Sequence, residues 1–174
     1  MVKAEQAMAE AFRGEFYQKV DGKARVSIPA AFRAVLNADD PQKGEKGGAR
    51  LVMVYGGKAR SFVECYSKRG ADQLAADIEA MDMGSPERVR AERDLISRSV
   101  MVEIDTDGRI VLPPRVREKM GFAGDLTADA EAAFAGFTNR FRLYRKEVYE
   151  AELAADEDDD TDPLTLVGRH KRTG

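Results

Sequence analysis

Two stretches of the chain alternate apolar and polar positions with the period of a strand. Phe16, Gln18 and Val20 form the first, and Val100, Val102 and Ile104 the second. Each runs into a turn pair, Asp21-Gly22 and Asp107-Gly108, and then into a short apolar return, Val26 with Ile28 and Ile110 with Leu112. Each therefore bends as a hairpin would. Pro29 and Pro113 end the return strands and suit the first turn of a short helix, running to about Leu36 and Met120. Two further strands follow each time: Leu51–Tyr55 with Ser61–Tyr66, and Ala132–Ala135 with Arg140–Tyr144. Gly56-Gly57 and the stretch Gly136 to Asn139 make the turns between them.

Between these blocks the period changes. Ala71, Leu74, Ala75, Ile78 and Met81 fall at helical spacing. Ser85-Pro86-Glu87 combines a cap, a proline at the first helical position and an acid near the positive end of the helix dipole. It starts a second helix that reaches about Ser99. A last helix is predicted over about Lys146–Ala154.

The pattern is written twice. Asp21-Gly-Lys-Ala-Arg-Val-Ser-Ile-Pro-Ala-Ala-Phe-Arg33 aligns with Asp105-Thr-Asp-Gly-Arg-Ile-Val-Leu-Pro-Pro-Arg-Val-Arg117 at an offset of 84 residues. Asp21/Asp105, Arg25/Arg109, Pro29/Pro113 and Arg33/Arg117 are identical. Val26/Ile110, Ile28/Leu112 and Leu36/Met120 keep their apolar character. Downstream, Phe62–Tyr66 matches Arg140–Tyr144 at an offset of 78, so the first copy carries six extra residues, most simply within 37–49.

The expected fold class is α+β: two tandem β-β-α-β-β repeats packed into one barrel-like core with a pseudo-two-fold axis. The expected organisation is a flexible extension over 1–11, repeats over 12–66 and 100–145, linking helices over 67–99, a helix over 146–154 and a disordered acidic tail over 155–174.

Charge then refines the picture. The 174 residues carry a formal net charge of −3, which on its face argues against a nucleic-acid partner. Residues 151–174 alone hold seven acids and three bases, so the first 150 residues are at +1. The stretch from Arg13 to Leu36 holds five bases and two acids. A basic start and an acidic end are averaged away. The aspartate cluster of the tail lacks the turn glycine and closing glutamate of a calcium loop, and reads as a solvated segment.

Several classes find no support. The one cysteine, Cys65, and the one histidine, His170, make neither a disulfide nor a structural zinc site. His170 lies in the tail, away from any catalytic constellation, and Cys65 falls in a strand, where it reads as a small buried hydrophobe. Gly56-Gly57-Lys58 lacks the spacing of a phosphate loop. No enzyme, cofactor, metal or small-molecule substrate is expected. The apolar runs, such as Leu51–Tyr55, are far short of the roughly 18 residues of a membrane span, and the N-terminus lacks an apolar signal core. A soluble cytoplasmic protein is expected.

The repeated Asp-x-x-x-Arg is the most informative feature. Across a tight turn, Asp21 can face Arg25 and Asp105 can face Arg109. One reading is a structural ion pair, worth about 0–1 kcal/mol at a surface. The other is an aspartate that orients a guanidinium toward phosphate or a guanine edge. Lys23 at the first turn, Arg33 and Arg117 on the following helices, and Arg13 before the first strand extend the charge into a basic stripe. The copies differ, since Asp107 stands where the first has Lys23, so the first is expected to supply more phosphate contacts.

At these residues the chain resembles the MraZ family of bacterial transcriptional regulators, tandem versions of the swapped-hairpin SpoVT-AbrB fold. The stretches that carry the likeness are Phe12-Arg-Gly14, the two aligned blocks and Phe134-Ala-Gly-Phe-Thr-Asn-Arg-Phe-Arg-Leu-Tyr144, covering about Phe12 to Leu153. The resemblance implies a sequence-specific DNA-binding regulator, a repressor of its own division and cell-wall gene cluster. It implies binding to direct repeats in promoter double-stranded DNA as a homo-oligomeric ring, and a nucleoid-associated location. It puts Arg25, Arg109 and Lys23 at the DNA. A protein-interaction scaffold or an antitoxin-like role with secondary DNA binding is the competing reading. The chain departs from the family at Ala24, where glycine is frequent. That puts the turn geometry in question, although Gly22 keeps one flexible position.

Overall fold

The computed structural model describes residues 10–122, 124 and 126–171. Among these residues eight strands and six α-helices form, and all but the last helix follow the order the periodicity predicts. The strands are β1 (Glu15–Lys19), β2 (Arg25–Ser27), β3 (Arg50–Val54), β4 (Val63–Ser67), β5 (Ser99–Glu103), β6 (Arg109–Val111), β7 (Glu131–Gly136) and β8 (Phe141–Arg145). The helices are α1 (Ala30–Ala38), α2 (Lys68–Glu79), α3 (Pro86–Ala91), α4 (Pro114–Met120), α5 (Lys146–Ala155) and α6 (Pro163–Lys171). A π-helical stretch, Glu92–Ser97, continues α3. Among the described residues no helix is long and apolar enough to cross a membrane.

The class is α+β, with every strand pair antiparallel. Six strands form one sheet in the order β1-β7-β8-β4-β3-β5, and β2 with β6 forms a separate two-stranded ribbon. Exchanging the two copies reverses the six-strand order onto itself. Each copy keeps one hairpin, β3–β4 or β7–β8, and gives its first strand to the other copy: β1 lies on β7, and β5 on β3.

Two expectations change here. The turn at Asp21 does reverse the chain, but β1 and β2 share only the single Val20–Val26 bridge. The return strands pair with each other instead of with the arms of their own hairpins. This pairing lays β2 and β6 across the core and buries Val26 and Ile110 beneath them. Nor does a closed barrel form, because β1 and β5 are edges of an open sheet.

Sequence periodicity becomes packing at equivalent positions. Val20/Ile104, Val26/Ile110, Ile28/Leu112, Phe32/Val116 and Leu36/Met120 are all buried in one cluster. The Phe32/Val116 pair is unequal in volume, and the larger partner gathers aromatic rings. The Phe32 ring centroid lies 5.4 Å from both Phe12 and Phe16, and 4.9 Å from Phe141. Cys65 is fully buried in β4, and burial pushes its thiol pKa up, as suits an apolar filler.

The linking helices start as the sequence indicates. The Ser67 hydroxyl accepts from the Gly70 N–H, and the Ser85 hydroxyl from the Arg88 N–H. The widened π turn brings Asp94 O so close to Gly56 that a Cβ there would lie 2.1 Å from it. In the tail, where no structure was expected, α6 forms with the Asp162 carboxylate accepting from the Leu164 N–H and Pro163 leading the helix. Its residues are all exposed. Most of the expected N-terminal extension, 1–9, lies outside the described residues.

Two buried acids are paired with arginines. Glu64 on β4 takes the Arg140 Nε at 2.6 Å and the Arg142 Nε at 2.8 Å, and Arg142 stacks between Phe62 and Phe137. Asp40 anchors the 39–49 loop by accepting from the Arg50 Nε (2.9 Å), Nη2 (2.7 Å) and backbone N–H (2.9 Å). The side-chain hydrogen bonds from Arg50, helped by its backbone N–H, hold the Asp40 carboxyl down at about 2. A depressed folded-state pKa stabilises the fold above the unfolded value of 3.8, and that contribution is lost as pH falls through about 2.

Two measurements check this packing. Phe32→Ala is expected to lower the unfolding free energy by about 3–5 kcal/mol in urea titrations. Between pH of about 4 and about 2 the wild type is expected to lose roughly 2 kcal/mol through Asp40, a loss that Asp40→Asn removes from the pH profile.

Candidate nucleic-acid interface

The ribbon register decides where the repeated arginines point. Arg25 lies opposite Val111, Val26 opposite Ile110, and Ser27 opposite Arg109. Side chains alternate across a strand, so Val26 and Ile110 face the core. Arg25, Ser27, Arg109 and Val111 share the outer face. The two arginines occupy diagonal positions on it, one at each end of the ribbon.

The turns that lead into the ribbon have matching backbones. Asp21 N–H bonds Arg25 O, and Asp105 N–H bonds Arg109 O. Ala24 N–H bonds Asp21 O, and Gly108 N–H bonds Asp105 O. Ile28 N–H reaches Gly108 O and Leu112 N–H reaches Ala24 O, so each copy also closes the other's turn. The questioned Ala24 takes a left-handed φ of 62°, beside 76° for the equivalent Gly108. The first turn keeps the geometry of the second, and Ala24 supplies the left-handed residue, not Gly22.

Each aspartate holds its turn from inside. The Asp21 Oδ1 accepts from the N–H groups of Lys23 (3.0 Å) and Arg25 (2.8 Å), while its Oδ2 takes the Arg25 Nε at 2.7 Å. The Arg25 backbone N–H, with the guanidinium, holds the Asp21 carboxyl below its usual range. The Asp105 Oδ1 accepts in the same way from Asp107 N–H and Arg109 N–H, both at 2.9 Å, and its carboxyl is lowered mainly by the Arg109 N–H. The guanidinium behaves differently. The Arg109 Nε stands 3.7 Å from Asp105, buried and without a hydrogen-bond partner, while its Nη2 takes Asp107 Oδ2 at 3.1 Å.

The remaining sequence candidates divide. Arg33, on α1 of the first copy, reaches across to the second turn. A Cβ on Gly108 would lie 2.1 Å from its Nη1, so the missing side chain at 108 is the seat of Arg33. Arg117 holds the equivalent half-buried place on α4. Lys23 is exposed at the first tip. Arg13 is exposed as well, but at the far end of β1 from the turn, so the structure does not bring it to the ribbon.

Beside the second turn lies an open groove of about 1380 Å³, walled by Arg33, the 43–50 loop, β5 and Asp105 to Val111. The loop is fixed there by Glu103 on β5, which accepts from the N–H groups of Lys46 and Gly48, both at 3.0 Å. Sequence reading missed the roles of Asp107 and Glu103. The Asp-x-Arg spacing at 107–109 is a legible sign of the first. Nothing local marks the second, whose partners lie more than 50 residues away.

Two copies of one aspartate-braced turn, on a ribbon that both copies build, define a tandem-repeat α+β protein with a pair of arginines on one face. No protein-family model matches the chain. It is 53% identical over 152 residues, spanning 87% of this chain and 89% of the relative, to a protein of Cereibacter sphaeroides named transcriptional regulator MraZ. Proteins of the same name in Ruegeria pomeroyi and Parvibaculum lavamentivorans are 40% identical over 167 residues (92% and 96% of the two chains) and 31% identical over 140 residues (80% and 79%). The chain belongs to the MraZ family.

The two turns make opposite demands on residues 24 and 108. Gly108→Ala places a methyl at a positive φ and against Arg33, and is expected to destabilise the fold by about 1–2 kcal/mol in chemical unfolding. Ala24→Gly relieves a similar backbone cost but removes a buried methyl worth about 0.8 kcal/mol, so its effect should stay within about 0.5 kcal/mol.

Proposed function

We propose that the outer face of the β2–β6 ribbon binds DNA and that the chain acts as a sequence-specific transcriptional regulator. The observation that carries this reading is the placement of Arg25 and Arg109, both half-buried, on one outer face, each beside a braced turn. The major groove of DNA admits a two-stranded ribbon, and a guanidinium can bond a guanine edge through both of its terminal nitrogens. Arg25 uses Nε for Asp21 and so can turn its two Nη groups outward. Lys23, Arg33 and Arg117 supply phosphate contacts around it, with more of them from the first copy. Arg13 is left for a more distant backbone contact.

The names of the relatives support a regulator of transcription. In the fuller reading, the cross-copy strand exchange is the tandem swapped-hairpin arrangement. The protein represses its own division and cell-wall gene cluster by binding direct repeats in the promoter. It works in the cytoplasm at the nucleoid, as a homo-oligomeric ring. A ring makes physical sense because one subunit has few phosphate contacts, and linked subunits gain on the order of 10²–10⁴ in avidity without new contacts.

Fluorescence anisotropy with a duplex from the gene's own promoter, across a salt series, tests this. The log of affinity is expected to fall linearly with the log of salt concentration. Arg25→Ala should weaken binding by about tenfold or more, and Arg109→Ala by less. Absent or salt-independent binding would overturn the proposal and favour a protein-interaction scaffold. Native mass spectrometry of the same sample should give a closed multiple of the subunit mass, and a simple dimer would count against the ring.

A further inference from the structure

The two turns have one backbone and opposite charge. The first tip carries Asp21, Lys23 and Arg25, and the equivalent positions of the second carry Asp105, Asp107 and Arg109. The first therefore sums to +1 and the second to −1. The difference is not only a count. In the first copy Arg25 is oriented by the aspartate at the start of the turn, 2.7 Å from its Nε. In the second copy Asp107 draws the guanidinium away. The Nη2 pairs with Asp107 at 3.1 Å, and the Nε is left 3.7 Å from Asp105, buried and without a hydrogen-bond partner.

A buried donor without a partner has a cost, and here its cause is visible in the geometry. The Arg109 side chain is shared between two carboxylates and satisfies only the outer one. Asp107 is the more exposed of the two, with 70% of its side chain accessible against 44% for Asp105. It stands at the tip, where the backbone of any duplex approaching the second turn would pass. It both occupies one terminal nitrogen of Arg109 and places a negative charge beside the approaching phosphates.

We infer that Asp107 is a specificity-determining residue: it pairs Arg109 internally, withholds it from indiscriminate phosphate contact, and releases it only to a ligand group that outcompetes a carboxylate. A guanine edge offers two acceptors in the plane of the guanidinium without bringing a negative charge up to Asp107, whereas a phosphate, although it too can bond an arginine through two oxygens, must approach against the exposed Asp107 carboxylate. Release also lets the Nε swing back to Asp105 and take the geometry of Arg25, which removes the orphaned donor. Sequence-independent binding then rests on the first turn and on Arg33, while the second turn contributes when the sequence is right. This inference rests on the DNA-binding reading above and adds a division of labour between the copies.

The test compares full-length wild type, Asp107→Asn, Asp107→Glu and Asp107→Asn/Arg109→Ala by anisotropy. Each is titrated with the promoter duplex and with a random duplex of equal length, over a salt series. Asp107→Asn should raise affinity for the random duplex by about fivefold at low salt, and steepen the log–log salt slope by about one per engaged subunit. It should raise promoter affinity less, so the ratio of specific to non-specific binding falls. Asp107→Glu should keep wild-type behaviour, and removing Arg109 in the Asp107→Asn background should remove most of the gain. Wild-type binding with an unchanged slope and ratio in Asp107→Asn overturns this inference alone, as does a gain left undiminished by loss of Arg109. A wild type that binds neither duplex with salt dependence overturns the DNA-binding reading, and this inference with it.

Discussion

Three residues of β2 paired with three residues of β6 tie the two repeated arginines and the fold to one another. Neither strand takes a ladder partner from its own copy beyond the Val20–Val26 bridge of the first. Backbone groups beside buried Val26 and Ile110 cannot be left unpaired without cost, so each copy needs the other. The same dependence runs outward through the main sheet, where β1 and β5 each complete the other copy's hairpin. A repeat of some fifty residues would bury only a marginal core alone, and exchange of strands merges two marginal cores into one. The exchange also fixes the register. A slip of one residue would turn Arg25 and Arg109 into the core and Val26 and Ile110 out to water.

The two readings of the Asp-x-x-x-Arg pair are not alternatives in this fold, because the carboxylate has two oxygens with different tasks. In both copies Oδ1 is committed to the backbone N–H groups of the turn. That is the structural role, and it is indifferent to the arginine side chain. Oδ2 is the orienting oxygen, and it is engaged by Arg25 but not hydrogen-bonded by Arg109. The backbone of the turn therefore survives a change in its electrostatics. This is why Lys23 could be replaced by Asp107, and Ala24 by Gly108, with almost the same φ at the left-handed position.

What the sequence made legible is what is local. Turn pairs, capping serines, prolines and apolar period all act within a few residues, and the strands and helices they mark form where expected. Partner choice is not local. Val26 and Ile28 pair as readily, on pattern alone, with their own hairpin arm as with a strand 84 residues away. Only the burial of the completed core separates the two. The seat of Arg33 on Gly108 was hidden for the same reason, since each residue looked complete within its own copy. Glu64 with Arg140 and Arg142 was hidden too, because a single acid in an apolar strand gives no sign of two arginines some 76 residues on. The tail helix was missed differently. Its acid block dominated the composition, while the start signal at Asp162-Pro163 is only two residues long.

The net charge of −3 first seemed to speak against DNA, and the structure gives the physical reason it does not. Fields of exposed charges decay over about 8 Å at physiological salt, so a surface is read locally and not as an average. Several acids near the ribbon are also turned inward to partners. Glu103 is bound by the N–H groups of the 43–50 loop, and Asp40 is enclosed by Arg50. Asp21 and Asp105 have their carboxylates facing turn amides. Their charge is largely compensated where it stands. Asp107 is the exception at the tips: it is exposed, its one partner is the arginine that would otherwise face outward, and it sits in only one of two equivalent turns. In the proposed binding mode, a charge in that position acts on the ribbon arginine directly.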